Sequence, residues 1–176
     1  MSEQPFISIV IPVRNEVRYI PRCLQAVSEQ DYPYDRIEVL VADGMSDDGT
    51  FELLQDWAGH AANRYVFQNP GKIVPTGLNI LIPKAKGNVI IRVDGHCVIA
   101  SDYVYTCVRH LEEVGVDGVG GHMRSIGEDL ISQVTALAMS SKFGVGNSSF
   151  RTETGQTKLT DTVPFPAYKR AIIEKV

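Results

Sequence analysis

The chain reads as a doubly wound α/β protein, a mostly parallel central sheet with helices on both faces, and three observations predict this. Two apolar runs, Ile37–Ala42 and Asn88–Val93, are near-continuously aliphatic or β-branched rather than alternating, as in strands covered on both sides. Turn-forming clusters separate such runs from stretches with helical spacing of apolar residues, giving a β-α-β-α-β-α-β rhythm with short connections. Both runs also end in an aspartate, Asp43 and Asp94, where ligands collect in such sheets, beyond the carboxyl ends of the strands.

The elements can be taken in chain order. Phe6–Ile11 is an apolar run closed by Pro12, hence a first strand. Asn15 is expected to cap a helix from Glu16 to Gln30, along which Ile20, Leu24 and Val27 recur at helical spacing. The turn cluster Asp31–Asp35 leads into the second strand, which ends at Asp43. After the polar loop Gly44–Gly49, Asp48 or Thr50 begins a helix with Leu53, Leu54 and Trp57 inward. Tyr65–Phe67 is a short third strand, and Gly77–Ala85 a helix interrupted by Pro83. Gly87 precedes the fourth strand.

Beyond Asp94 the rhythm changes. Asp102–Val114 reads as a helix with Val104, Val108 and Leu111 on one side, and Val116–Met123 as a glycine-dotted strand. Asp129–Phe143 is a second helical stretch, amphipathic through Leu130, Val134, Leu137 and Met139. Gly144–Thr160 is expected to be a long surface loop, and Thr162–Val176 to hold one short strand and the beginning of a helix. A single domain over residues 1–176 is expected.

Composition narrows the function. With 44% hydrophobic and 22% charged residues the chain is an ordinary globular one. A net charge of −4 and the lack of a Lys/Arg run argue against nucleic acid as a partner. No apolar run approaches the roughly 18 residues of a membrane span, and the polar, acidic Met1–Pro5 is no signal peptide. Cys23, Cys97 and Cys107 are odd in number and lack a C-x-x-C pair, which suits free thiols in a reducing cytoplasm. A cytoplasmic location, compatible with work at the inner face of a membrane, is the expectation.

Three segments carry candidate chemistry. In Pro12-Val13-Arg14-Asn15-Glu16, helix-start amides and Arg14 offer an anionic group a resting place. The plain alternative is a helix start with Asn15 as cap and Glu16 favoured by the dipole. Asp43 closes a wholly apolar strand and so needs a partner; its carboxylate suits an N–H of a planar base, and Gly44 lets the backbone come close. Asp47 and Asp48 fit a solvated turn and a cap. In Asp94-Gly95-His96, a carboxylate and an imidazole two residues apart can both reach a divalent ion if Gly95 permits the turn. Mn²⁺ or Mg²⁺, with this donor pair tilting toward Mn²⁺, would neutralise a diphosphate leaving group. The alternative is a surface turn with an unrelated histidine. His60, His110 and His122 show no ligand-like spacing, the glycines 115–121 lack a dinucleotide-loop pattern, and Cys97 reads as a packing thiol.

Ile9–Glu16, Val41–Thr50 and Asp94-Gly95-His96, in this order and spacing, resemble the family 2 glycosyltransferases of GT-A, Rossmann-like fold. Ser141–Asn147 and Asp161–Phe165 resemble the exopolysaccharide, succinoglycan-type branch of that family. The resemblance implies an inverting transfer of a sugar from a nucleotide-sugar, UDP-linked by expectation, to a glycan or lipid-linked acceptor in polysaccharide biosynthesis. It implies that Asp43 contacts the base, usually uracil, in a pocket lined by Pro12, Val13, Arg14, Asn15 and Glu16. Asp94 corresponds to the first carboxylate of the family's D-x-D motif, and His96 replaces the second as a metal ligand. Lys72 and Asn79 lie where further donor contacts are often found. Residues from about 6 to 100 then form the nucleotide-binding half, and about 101–176 an incomplete acceptor-side half. The family's general base follows the Tyr168-Lys169-Arg170 region, so it is expected beyond Val176; Glu174 and Asp161 are poor substitutes. The alternative function is a nucleotide-sugar-binding module without turnover.

Overall fold

The computed structural model describes residues 4–127, 129–145, 149–152, 157–160 and 162–175. Among them, one sheet runs in the order β3-β2-β1-β4-β6-β5, with β1 Ile7–Val13, β2 Ile37–Asp43, β3 Arg64–Gln68, β4 Val89–Arg92, β5 Gly118–Val119 and β6 Ala167–Lys169. The central strand β1 pairs in parallel with β2 on one side and β4 on the other, and β2 pairs in parallel with β3. The short β6 pairs antiparallel with both β4 and β5. The sheet is therefore doubly wound and mostly parallel, as its apolar runs predict.

The helices are α1 Ile20–Ser28, α2 Thr50–Gly59, α3 Val74–Leu81, α4 Tyr103–Glu113, α5 Leu130–Met139, α6 Lys142–Val145, α7 Ser149–Thr152 and α8 Arg170–Ile173. Alternation along β1 sorts them between the two faces. Ile7, Ile9, Ile11 and Val13 belong to one buried cluster with Ile20, Leu24 and Val27 of α1, Leu54 of α2 and Val104, Val108 and Leu111 of α4. Val10 points the other way, into a smaller cluster with Leu40, Ala42, Ile90 and Leu81 of α3. Both layers are closed by aliphatic side chains at less than a tenth exposure, so the strand ends rather than the faces are left for chemistry.

Two helix starts differ from the sequence reading for one reason. Asn15 has φ of 53° and does not cap α1; Glu16 O accepts from Tyr19 and Ile20 N–H at 2.9 and 2.8 Å, and the helix proper begins at Ile20. Pro21 stands in the first turn of α1, where its missing N–H costs nothing. Likewise Pro75 stands in the first turn of α3, which begins at Val74 rather than at Gly77. Pro83 ends that helix in a short 3₁₀ turn, Ile82–Lys84. Of the expected strand at 116–123 only Gly118–Val119 pairs, and the expected loop at 144–160 contains α7.

The chain gathers into two compact units, Met1–Val119 with Phe165–Val176, and Gly120–Pro164. The first holds the sheet. In the second, α5 opens with a capping box, Asp129 Oδ1 accepting from Ser132 N–H at 2.8 Å and Ser132 Oγ from Asp129 N–H at 3.0 Å. Leu130, Ile131, Val134 and Leu137 of α5 remain exposed. No described helix is long and apolar enough to cross a membrane.

Candidate functional site

The chain leaves β1 for β2 and β3 on one side and returns with β4 on the other. The crevice at the carboxyl ends of β1 and β4 is thus the topological switch point of the sheet, where such folds bind ligands. A cleft of about 230 Å³ opens there. Pro12, Val13, Arg14 and Glu16 line it from the end of β1, Asn69, Lys72, Ile73 and Val74 from the segment after β3, and Arg92, Asp94, Gly95 and His96 from the end of β4.

Two glycines let these pieces close together. A Cβ on Gly44 would fall 3.0–3.2 Å from the Arg14 side chain, so Gly44 lets Arg14 lie across the end of β2. A Cβ on Gly95 would fall 2.9 Å from Val13 Cγ2, so only glycine lets the turn after Asp94 pack on β1. Asn15 does not line the cleft. It laces the β1 and β2 loops instead: its N–H donates to Ser46 Oγ at 2.9 Å, its Nδ2 to Asp47 Oδ1 at 3.0 Å, and its Oδ1 accepts from Asp47 N–H at 3.1 Å.

Asp48 fastens the same loops from below. Its Oδ2 accepts from Val17 N–H at 3.1 Å and its Oδ1 from Thr50 N–H and hydroxyl at 3.0 and 2.5 Å. Slight desolvation pushes the carboxyl of this exposed residue up, but the hydrogen bonds from Thr50 and Val17 outweigh that and hold it below the ordinary value.

Asp43 stands at the tip of β2, in register with Val13, and is 1% exposed. Its Oδ2 accepts from Ser46 N–H at 3.0 Å, while its Oδ1 is buried without a hydrogen-bond partner. An orphan acceptor of this kind costs about 1–3 kcal/mol. Asp43 is one strand removed from the cleft lining; Asn69, whose N–H donates to Asp43 O at 2.7 Å, bridges the two.

Asp94 and His96 line the cleft, each held by a partner. Arg92 Nε and Nη2 donate to Asp94 Oδ1 at 3.0 and 2.8 Å. His96 Nδ1 lies 3.0 Å from Glu16 Oε1. When Nδ1 carries the proton, Nε2 is left as the free lone pair, the arrangement by which carboxylates orient metal-binding histidines. Asp94 retains its second oxygen. Among the described residues no three His, Cys, Asp or Glu side chains converge on a metal position. An ion held by Asp94 and His96 would therefore have only these two protein ligands and would need phosphates and water to complete its shell.

The remaining candidates divide. Lys72, with φ of 62°, lines the cleft. Asn79 does not: it is exposed on α3, more than a turn beyond Val74. Glu174 pairs with Arg170 Nη1 at 3.5 Å, and Asp161 lies outside the described residues. Cys97 is pushed up to about 11, by burial first and then by Asp94 and Glu16, which keeps it a protonated packing thiol. Sequence reasoning missed Arg92 and Asn69. Arg92 is a cation inside an apolar run, two residues from Asp94; Asn69 opens an Asn-Pro-Gly turn.

A mostly parallel sheet with a cleft at its switch point, and aspartates at the ends of β2 and β4 on either side of β1, is a ligand-binding α/β arrangement. Comparison with known proteins is more specific. Residues 8–176 match the family model described as glycosyl transferase family 2, and the chain belongs to that family. It is 31% identical over 146 residues to the succinoglycan biosynthesis protein ExoA of Rhizobium meliloti, covering 82% of this chain and 44% of that protein. It is 27% identical over 177 residues to a dolichyl N-acetyl-alpha-D-glucosaminyl phosphate 3-beta-D-2,3-diacetamido-2,3-dideoxy-beta-D-glucuronosyltransferase of Methanococcus voltae, covering 97% of this chain and 54% of that protein. The chain thus spans about half the length of these relatives. Its fold is GT-A: a mannosyltransferase of Pyrobaculum calidifontis, solved with GDP-Man and Mn²⁺, superposes with a TM-score of 0.74 at 23% identity, over 99% of this chain and 47% of that one.

Proposed function

We propose that the cleft binds the nucleotide diphosphate of a sugar donor, and that the protein serves inverting transfer of the sugar to a glycan or lipid-linked acceptor in polysaccharide biosynthesis. The carrying observation is the assembly of Arg14, Lys72, Asp94 and His96 around one cleft at the β1/β4 switch point. Arg14 and Lys72 supply positive charge for phosphate oxygens. Asp43 offers its unpartnered oxygen to an imide N–H of the base, which we take to be uracil. Asp94 and His96 would hold a divalent ion, Mn²⁺ or Mg²⁺, whose charge would offset that developing on the departing diphosphate. In this reading residues from about 6 to 100 form the nucleotide half of a single GT-A domain working on the cytoplasmic side of a membrane that carries the acceptor. The dolichyl-phosphate substrate in the name of the Methanococcus relative supports a lipid-linked acceptor.

Calorimetry with UDP and Mn²⁺, followed by assays of UDP release from UDP-sugars, tests this. Asp94→Ala is expected to weaken Mn²⁺-dependent UDP binding about tenfold or more, the scale of a lost charge-assisted contact. His96→Ala should lose affinity only when metal is present; equal behaviour with and without Mn²⁺ makes it a bystander. UDP binding without turnover leaves a nucleotide-binding module. No binding of UDP by the unaltered chain removes the proposal.

A further inference from the structure

Arg92 has no part in the resemblance to known glycosyltransferases, yet it is the closest charged neighbour of the key carboxylate. Arg92 ends β4 and Asp94 follows it by two residues, and their side chains meet. The side chains are 37% and 29% exposed, and both line the cleft. The main chain of Arg92 is fixed, its N–H donating to Pro166 O at 3.0 Å. Two guanidinium donors converge on one oxygen, Asp94 Oδ1, at 3.0 and 2.8 Å. The fork thus occupies half of a group that, under the proposed function, holds a divalent ion.

The two candidate ligands carry opposite charge, and Arg92 meets them differently. A doubly charged ion on Asp94 would lie within a few ångströms of the guanidinium and be repelled by it. A diphosphate entering the same cleft is attracted by both. We propose that Arg92 is a positioning residue that holds Asp94 against metal in the nucleotide-free protein and turns to the diphosphate when a nucleotide enters. This rests on the reading of the cleft as a nucleotide site. It makes metal and nucleotide binding mutually dependent, because only the anionic ligand compensates both cations at once. A purely structural arginine would stabilise Asp94 without giving the two ligands opposite responses.

The test uses the whole chain and the variants Arg92→Gln and Arg92→Lys, each checked for folding by circular dichroism. Mn²⁺ binding without nucleotide is titrated by electron paramagnetic resonance, and UDP binding in EDTA by calorimetry. For Arg92→Gln, Mn²⁺ affinity should rise about three- to tenfold while metal-free UDP affinity falls about tenfold. Arg92→Lys loses the fork but keeps the charge that attracts the diphosphate, so it should recover most of the UDP affinity. If Arg92→Gln does not fold, the lysine variant decides: UDP affinity in EDTA near that of the unaltered chain supports the inference, and a loss as large as tenfold overturns it. Unchanged or weaker Mn²⁺ binding, or unchanged metal-free UDP binding, in Arg92→Gln overturns the inference while the nucleotide site stands. Absence of UDP binding by the unaltered chain, with or without Mn²⁺, overturns the nucleotide site and the inference with it.

Discussion

Strand β2 carries a buried carboxylate near each end, and the two are treated in opposite ways. Glu38, 2% exposed, lies at the amino end, where its Oε1 accepts from Ser8 Oγ at 2.6 Å and from Lys86 N–H at 2.5 Å. Ser8 Oγ in turn accepts from Gly87 N–H at 2.7 Å, so the network staples β1, β2 and the entry to β4. Asp43, 1% exposed, lies at the carboxyl end with one oxygen bonded to Ser46 N–H and the other without a partner. Burial alone therefore says nothing about role. The difference is that Asp43 keeps a buried oxygen without a partner, which the proposed function gives to the ligand.

The largest effect should come from breaking the satisfied end. Glu38→Ala leaves Lys86 N–H and the Ser8 hydroxyl without their acceptor, and is expected to lower stability by about 2–4 kcal/mol in urea unfolding. UDP affinity of the folded variant should stay within about twofold. A variant that kept its stability would remove the staple from the fold.

Asp43→Ala should do the reverse. It deletes an oxygen already unpaired, so stability should change by no more than about 1 kcal/mol, the net worth of the Ser46 bond. UDP affinity should fall about 10- to 100-fold by calorimetry. A large loss of stability with unchanged UDP binding would make Asp43 a second Glu38.

The smallest effect concerns the thiols beneath the acidic turn. Burial pushes Cys23 up to about 12 and Cys97 and Cys107 to about 11, from an ordinary value of 9.0, and Asp94 and Glu16 add to the first two. Cys23 Sγ also donates to Asp94 O at 3.6 Å. Because the unfolded thiols release protons first, their contribution to stability is complete below about pH 9 and lost as pH climbs through 9 to 12. Urea midpoints that fall between pH 8 and 10.5, and fall less in Cys23→Ala, would show it; fast alkylation of all three thiols at pH 8 would contradict it.

Much of the fold and part of the site are legible in the residues because they depend on local pattern. The runs ending at Asp43 and Asp94 are nearly continuously apolar, the pattern of covered strands, and parallel strands present their carboxyl ends to ligands. Helix starts are less legible. Asn15 has the side chain of a cap, but the chain uses its tolerance of positive φ to lace two loops, while Pro21 sets where α1 begins. Asn79 is helical in sequence and structure, yet it is exposed and does not line the cleft.

The order of elements, the class of sheet and the acidic strand tips are written in the residues themselves, since side-chain period and turn chemistry act over a few neighbours. Which groups meet was settled by packing: Glu16 against His96 across 80 positions, the unpartnered oxygen of Asp43, and the fork of Arg92 across Asp94. Contacts between distant residues, and the side-chain turns that complete or withhold a hydrogen bond, come into being only when the strands align and the loops beyond them converge.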